Sequence, residues 1–301
     1  MPAAARSRTP TLKITHGERV IDPASGLTKL DLARYYAEVA PWILPHLEDR
    51  PAYVRRAPEG LGGTVFFQEH PENTGLRGTD PALWPGHEPA FAFDSPGDLV
   101  AAAQLGVVEI HTWNSTAGAI LLPDRMIFDL DPGDGVPWGL LREAALLVRA
   151  LLDELGLASW LKTTGGKGLH VAVPLRPEED YPATNAFSRA VVQHMARTIP
   201  RRFVAKSGAR NRVGRIFIDF LRNGQSQSTC EALSARARPG LGVAMPVGWD
   251  ELPQLTGSAH WTIATAVEHL RRQRADPWAG YWTSRQRLRP AMQTLGVRPG
   301  V

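Results

Sequence analysis

The spacing of apolar positions changes several times along this chain, and each change marks an element. Residues 11–60 read as a short strand, a Pro/Gly turn, a helix and another strand. In the helix, Leu30, Leu32, Tyr35, Tyr36, Val39 and Ile43 form one stripe, and Thr28 stands where an N-cap belongs. Residues 71–98 are dense in Pro, Gly and Asp and read as irregular connection. VVEIHTW (107–113) then alternates as a strand does, and 126–131 is a second strand followed by the loop PGDGVPW. A helix follows on Leu140, Leu141, Ala144, Ala145, Leu147, Val148, Leu151, Leu152 and Leu155, stopped by Gly156.

Two strand-like runs, ASWLKTT and LHVAVPL, are joined by Gly165-Gly166-Lys167-Gly168, a hairpin signal. A helix over 182–198, a basic loop, a strand over 215–223 (RIFIDFLRN) and a helix-loop tail over 261–296 complete the chain. Strand, helix, strand, strand is the order of an α/β protein with mixed sheets flanked by helices, not of an all-parallel doubly wound sheet. No internal repeat or linker divides the sequence. One domain over 11–301 is expected, after a flexible N-terminus over 1–10.

Composition narrows the class. The 301 residues are 43% hydrophobic and 21% charged, as in ordinary globular proteins. Cys230 is the single cysteine, so an intramolecular disulfide and a four-thiolate zinc site are excluded. No apolar window approaches the length of a membrane span, and the N-terminal arginines precede no apolar signal core. A soluble cytoplasmic protein without membrane contact is expected. The balance of 34 basic and 30 acidic residues gives a net charge of only +4, but residues 197–215 hold seven Lys/Arg and no acid. Such a run is either a solvated loop or a surface for phosphates.

Candidate chemistry starts in the strand MIFDLDPGDG. Side chains alternate faces along a strand, so Ile127, Asp129 and Asp131 share one face and Met126, Phe128 and Leu130 the other. Two carboxylates whose β-carbons lie about 7 Å apart repel each other unless a cation sits between them. Mg²⁺ or Mn²⁺ suits such a pair, although a short Asp-x-Asp also arises as a hydrated turn. Asp219, in the apolar RIFIDFLRN, needs compensation as well, either from Arg222 or from a metal shared with the first pair. Lys167, among glycines, is placed to meet phosphates, though the spacing is not that of a Walker loop. His111, His170 and the pair Phe66-Phe67 are each compatible with core or site; zinc spacing is absent.

Taken in order, HTWNS, FDLDP, KTTGGKGLHVAVPL, FIDFLRN and ARARPG resemble the polymerase domain of bacterial ATP-dependent DNA ligase D, within the archaeo-eukaryotic primase superfamily. The resemblance runs from about Lys13 to Gly296. It implies a primase-like catalytic core and a DNA-directed nucleotidyltransferase of non-homologous end joining. Such an enzyme extends ends and fills gaps with NTPs or dNTPs, preferring ribonucleotides and using two Mn²⁺ or Mg²⁺ ions. The resemblance further implies DNA with gaps, overhangs or a 5′-phosphate as substrate, a Ku-type end-binding protein and an ATP-dependent ligase as partners, and work at the nucleoid.

By residue, the resemblance assigns Asp129, Asp131 and Asp219 to catalysis and metal binding. It places His111, Thr164, Lys167, Arg222, Arg236 and Arg55 at the nucleotide. Arg19 and Lys29 match a 5′-phosphate pair, Phe66 and Phe67 the aromatics at the template, and Arg212 an arginine engaging the primer end. Against that family's pattern, Thr164 stands where many members have serine, Glu69 in FFQEH replaces the commoner lysine, and 224–234 departs from the usual stretch. Two other readings compete. FDLDPGDG also resembles the opening strand of a haloacid dehalogenase-type phosphatase, with Asp129 as nucleophile; that needs a doubly wound parallel sheet. A catalytically silent DNA-end-binding module is the second.

Overall fold

The computed structural model describes residues 14–298. The expected flexible N-terminus, 1–10, lies outside the described residues.

Thr28 caps the first helix, as its position suggests. Its hydroxyl accepts from Asp31 N at 3.2 Å, while the Asp31 carboxylate accepts from Thr28 N at 2.8 Å. Such a reciprocal cap contributes about 1 kcal/mol. It closes the short hairpin β1 (Val20–Asp22) and β2 (Leu27–Thr28) onto α1 (Lys29–Leu47). Leu32, Tyr35, Tyr36, Val39 and Ile43 are buried on one face of α1, and Leu30 is half-buried at its edge.

The remaining strands are β3 (Ala52–Arg56), β4 (Phe66–Gln68), β5 (Val107–Trp113), β6 (Arg125–Pro132), β7 (Trp160–Thr163), β8 (Leu169–Pro174), β9 (Phe203–Val204), β10 (Ile216–Asp219), β11 (Ser228–Cys230) and β12 (Pro246–Val247). One sheet has four strands in the order β11-β5-β3-β4. Another has six in the order β12-β7-β8-β6-β10-β9, in which only β9 and β10 run parallel. The phosphatase reading fails here: β6, which carries Asp129, lies between two antiparallel neighbours. Helices α2 (Pro96–Gln104), α3 (Trp138–Glu154), α4 (Tyr181–Thr198), α5 (Ala266–Arg272) and α6 (Arg289–Thr294) cover the sheets.

Two boundaries differ from the expected ones. The Pro/Gly-rich 71–98 segment gives way at its end to α2, started by Ser95 as N-cap, Pro96 in the first turn and Asp98 returning a bond to Ser95 N at 2.9 Å. The strand in 215–223 stops at Asp219. There the Asp219 carboxylate accepts from Leu221 N at 3.0 Å and turns the chain into a single 3-10 turn, Leu221–Asn223.

The two faces of β6 separate as alternation requires. Met126, Phe128 and Leu130 join the main core, while Ile127 packs with Ala172, Trp278 and Tyr281. The tail that supplies Trp278 also encloses His46 of α1, whose ring lies 5.7 Å from Trp278 and 4.8 Å from Trp282. Burial there pushes the imidazole down to about 4. A base with a lowered folded-state pKa contributes stability above its unfolded value, about 6.5, and loses it as pH falls toward the folded value. Wild-type protein should therefore lose about 2–3 kcal/mol of unfolding free energy from this group between pH 7 and pH 4. Urea melts at those pH values should show a smaller loss in His46→Leu.

Candidate active site: carboxylates between two cavities

Strand register brings the carboxylates together. Asp219 of β10 stands directly opposite Asp129 of β6, and Asp129 stands opposite His170 of β8. Asp131 follows two residues along the same face of β6. Directly opposed residues of an antiparallel pair hold their β-carbons roughly 5 Å apart, so three negative charges share one corner.

The surrounding groups respond to that charge. The Asp131 carboxyl is pushed up to about 6, first by burial and then by the Asp129 charge, and the Arg212 guanidinium 3.0 Å away only partly offsets this. Burial likewise raises Asp219 above the usual carboxylate range, although Arg222 Nε lies 3.2 Å from it. Asp129 is the exception. Burial works to raise its carboxyl, but His170 Nε2 at 3.3 Å and Arg222 Nε at 4.0 Å outweigh it and hold it low. His170 itself is pushed down to about 4 by burial, and its Nδ1 is buried without a hydrogen-bond partner among the described residues.

Three hard oxygen donors that resist simultaneous ionisation suit one or two divalent cations of the Mg²⁺ or Mn²⁺ kind. A second donor group among the described residues has metal-like spacing: Glu109, His111 and Cys230 offer ligand atoms within 4.8 Å of one another. There, however, Arg236 Nε already lies 3.1 Å from the Glu109 carboxylate and neutralises it.

Asp129, His170, Arg222 and Arg236 form the wall shared by two cavities. One, of about 310 Å³, is lined also by Asp131, Thr164, Lys167, Gly168, Arg212 and Arg238. Its floor is the β7–β8 hairpin. Gly165 turns with φ +65°, and a β-carbon there would meet Val243 C at 2.7 Å, so the loop needs glycine. The Thr164 hydroxyl accepts from Gly168 N at 3.1 Å and Gly166 N at 3.3 Å, and Arg236 Nη1 donates to Thr164 O at 2.8 Å. Thr164 thus shapes the loop from within, while Lys167 is exposed at the cavity. Gly133 brings two loops of the candidate site together. Its β-carbon, if present, would overlap Arg212 O, so glycine lets the basic loop lie against the end of β6 and point Arg212 at Asp131.

The other cavity, of about 400 Å³, lies toward the four-stranded sheet and is lined by Arg55, Phe67, Glu109, His111, Ser228, Thr229 and Cys230 beside the shared wall. Phe67 is 47% exposed on the edge strand β4 and meets His111 edge-on, with ring centres 5.5 Å apart. Phe66, 39% exposed, stacks under Arg56 instead, on the opposite face of β4. Arg19 and Lys29 line neither cavity. They meet at the first hairpin, where Arg19 donates to Pro58 O at 2.8 Å and Lys29 to Thr15 O at 3.0 Å. Burial and the Arg19 charge lower the Lys29 ammonium pKa.

Of the residues expected at one site, the structure gathers Asp129, Asp131, Asp219, His111, Thr164, Lys167, Arg222, Arg236, Arg55, Phe67 and Arg212 around these two cavities. Glu109 and Arg238 were not anticipated. Alternation was the available signal for both: Glu109 shares a face with His111, and Arg238 sits two residues beyond Arg236.

A carboxylate-bearing antiparallel strand pair beside a basic cavity, in mixed sheets, defines a primase-polymerase type of domain, and the comparisons agree. Residues 28–278 match the family model of the LigD primase-polymerase domain. The chain is 44% identical over 294 residues to the multifunctional non-homologous end joining protein LigD of Pseudomonas aeruginosa, covering 96% of this chain and 35% of that one. It is 32% identical over 299 residues to the LigD end-joining DNA repair protein of Mycobacterium tuberculosis, covering 93% of this chain and 39% of the relative. The polymerase domain of Mycobacterium tuberculosis Ligase D, solved in complex with DNA, superposes with a TM-score of 0.77 at 29% identity over 87% of this chain and 95% of that one. The chain belongs to the LigD primase-polymerase domain family. It spans about a third of the length of the Pseudomonas relative. Among the described residues, no helix is long and apolar enough to cross a membrane.

Proposed function

We propose that this chain is a template-directed nucleotidyltransferase that adds NTPs, in preference to dNTPs, at gaps and ends of broken DNA. The observation that carries the reading is the register that sets Asp129 opposite Asp219, with Asp131 two residues on, at the mouth of a cavity lined by Lys167, Arg212, Arg236 and Arg238. Asp129, Asp131 and Asp219 would hold two Mn²⁺ or Mg²⁺ ions, which supply Lewis acidity toward the triphosphate and the attacking 3′-hydroxyl.

The chain's own groups do the rest. Lys167, Arg236 and Arg238 counter triphosphate charge, and the hairpin held by Thr164 fixes where that charge sits. Arg222 is shared by Asp129 and Asp219 and is aimed at the point where the two cavities join, so it can turn from carboxylate to phosphate without leaving the site. The wider cavity takes the nucleoside, with Phe67 offering an exposed ring for stacking. Arg212, on the basic loop, faces the primer end. Bases of the 197–215 run extend the same positive surface toward the DNA backbone. In cells this activity would serve end joining with a Ku-type end-binding protein and an ATP-dependent ligase, at the bacterial nucleoid.

The test is a duplex with a one-nucleotide gap and a 5′-phosphate, incubated with each labelled nucleotide and Mn²⁺ or Mg²⁺. Template-matched extension that EDTA abolishes is expected. Untemplated labelling, or an aspartyl-phosphate on Asp129, would refute the reading.

Arg19 and Lys29 give a separate expectation. Two cations held side by side at a hairpin suit a terminal phosphate, and each charge-assisted bond is worth about 1.5–3 kcal/mol. Replacing both by Ala should weaken binding to a 5′-phosphorylated gap at least tenfold more than to the same gap ending in a hydroxyl. Equal losses on the two duplexes would rule out a phosphate pocket there.

A further inference from the structure

Among the described residues, Glu109 and Asp129 are the carboxylates lining the wider cavity; Glu109 is 1% exposed, and three hydrogen-bond partners and the Arg236 guanidinium converge on it. Its Oε1 accepts from Ala237 N at 2.8 Å and lies 3.5 Å from Arg55 Nη1; its Oε2 faces His111 Nε2 at 2.7 Å and Arg236 Nε at 3.1 Å. We infer that Glu109 is a positioning residue that sets sugar selectivity, by fixing His111 as the tautomer whose free Nδ1 accepts a hydrogen bond from the ribose 2′-hydroxyl of the incoming nucleotide. This rests on the nucleotidyl-transfer reading above and names how the site would tell a ribose from a deoxyribose.

The argument is one of donor and acceptor capacity. Burial raises the Glu109 carboxyl, but the bond from His111 and the Arg236 charge outweigh it and leave the group at about 2, ionised. An ionised carboxylate can only accept, so His111 donates through Nε2–H. Burial also lowers the His111 pKa, so the ring is neutral and its other nitrogen keeps a lone pair. Nδ1 has no hydrogen-bond partner among the described residues, and the ring lines the cavity beside Phe67. Thr164, another residue expected at the nucleotide, has its hydroxyl engaged by Gly166, Gly168 and Ser258. A 2′-hydroxyl gives Nδ1 a donor; a 2′-deoxy sugar leaves it desolvated and unpaired. Sites that lose a matched polar partner in this way discriminate more sharply than sites that merely lose contact area.

The experiment measures equilibrium binding of ATP and 2′-deoxy-ATP to the full chain in Mg²⁺. It compares wild type, Glu109→Gln, His111→Ala and the double variant. Wild type should prefer ATP. Glu109→Gln, whose amide can donate to the ring and release the tautomer, should cut that preference about fivefold, the net worth of one neutral hydrogen bond. His111→Ala should cut it as far, and the double variant no further. Glu109→Asp keeps a charge for Arg236 but draws the carboxylate back from the ring, so it should lower the preference even if Glu109→Gln folds poorly. Imidazole ¹⁵N shifts should show Nε2–H at His111 in wild type and a mixture in Glu109→Gln. An unchanged ATP preference in both Glu109 variants, equal weakening of both nucleotides, or Nδ1–H at His111 in wild type would each overturn the inference. Ser228 or Thr229, which line the same cavity, would then be the sugar contacts. These readouts need no primer extension, so a chain that showed this pattern yet extended no primer would keep the role of Glu109 and lose the transfer reading.

Discussion

Asp129→Ala, alone or with Asp131→Ala, should lower extension of a gapped duplex by about a thousandfold or more while the protein stays folded. The size follows from the role. Stabilising charge at a transferring phosphoryl group is worth several kcal/mol, and each 1.4 kcal/mol is tenfold in rate. The intact fold follows from the geometry, because Asp129 and Asp131 project from the face of β6 opposite to the core residues Met126, Phe128 and Leu130. At Asp131, burial and the charges of Asp129 and Asp219 outweigh Arg212, so removing that charge relieves repulsion, whereas Asp129 gives up its contacts to His170 and Arg222 without touching the core. In EDTA, Asp131→Asn should therefore unfold no earlier than wild type, and Asp219→Asn, which keeps the side chain's shape, should be as inactive as Asp129→Ala. A clear stability loss in Asp131→Asn would mean that Arg212 and Asp131 form a structural ion pair instead. Undiminished extension by Asp129→Ala would remove the proposed site altogether.

How much of this site could be read from the sequence follows from which features are local. Alternation along one strand is local, and it places Asp129 and Asp131 on one face; the same rule separates Ile127 from the core it does not join. Helical spacing and the Thr28 cap are local too, and α1 and α3 form where they predict. Strand order is not local. That Asp219 opposes Asp129, with His170 on the other side, depends on pairing between segments tens of residues apart, and no periodicity within either segment encodes it. Glu109 escaped for a related reason. In VVEIHTW it looks like a polar break in a strand, and only the arrival of Arg236 and Arg55 from other elements shows that its charge is used. The start of helix α2 is local as well, since Ser95, Pro96 and Asp98 spell a capping box, but it lies inside a segment whose Pro and Gly content signals loop.

Glu231→Ala is expected to be the most destabilising single change in the protein outside its apolar core. Glu231 is 2% exposed and pairs with Arg125 at 2.7 Å; it also accepts from the Thr112 hydroxyl. Arg125 starts β6 and donates as well to Asn114 Oδ1 at 3.0 Å and Trp113 O at 3.1 Å, so this network ties the six-stranded sheet to the four-stranded one behind the wider cavity. Lys162, 2% exposed on β7, bonds Cys230 O next to it, and burial lowers its pKa. Deleting the carboxylate leaves two buried cations with one anion fewer, and breaking a buried pair on one side costs about 3–5 kcal/mol. For a chain of this size that is a fall of about 5–8 °C in melting temperature. Replacing both partners, Glu231→Leu with Arg125→Met, should recover part of the loss, because no unpaired charge then remains at that contact. The pH dependence has a definite sign. Burial alone would raise the Glu231 carboxyl, but Arg125 and Lys162 hold it far below the ordinary glutamate range. Its contribution is therefore complete above about pH 4.5 and lost as pH falls below that. Urea midpoints at pH 7 and pH 3.5 should differ less in the double replacement than in wild type. The same measurement made with Glu231→Ala shows whether the clamp also holds the site, since a loosened sheet pairing would move His111 away from Asp129 and weaken ATP binding together with stability.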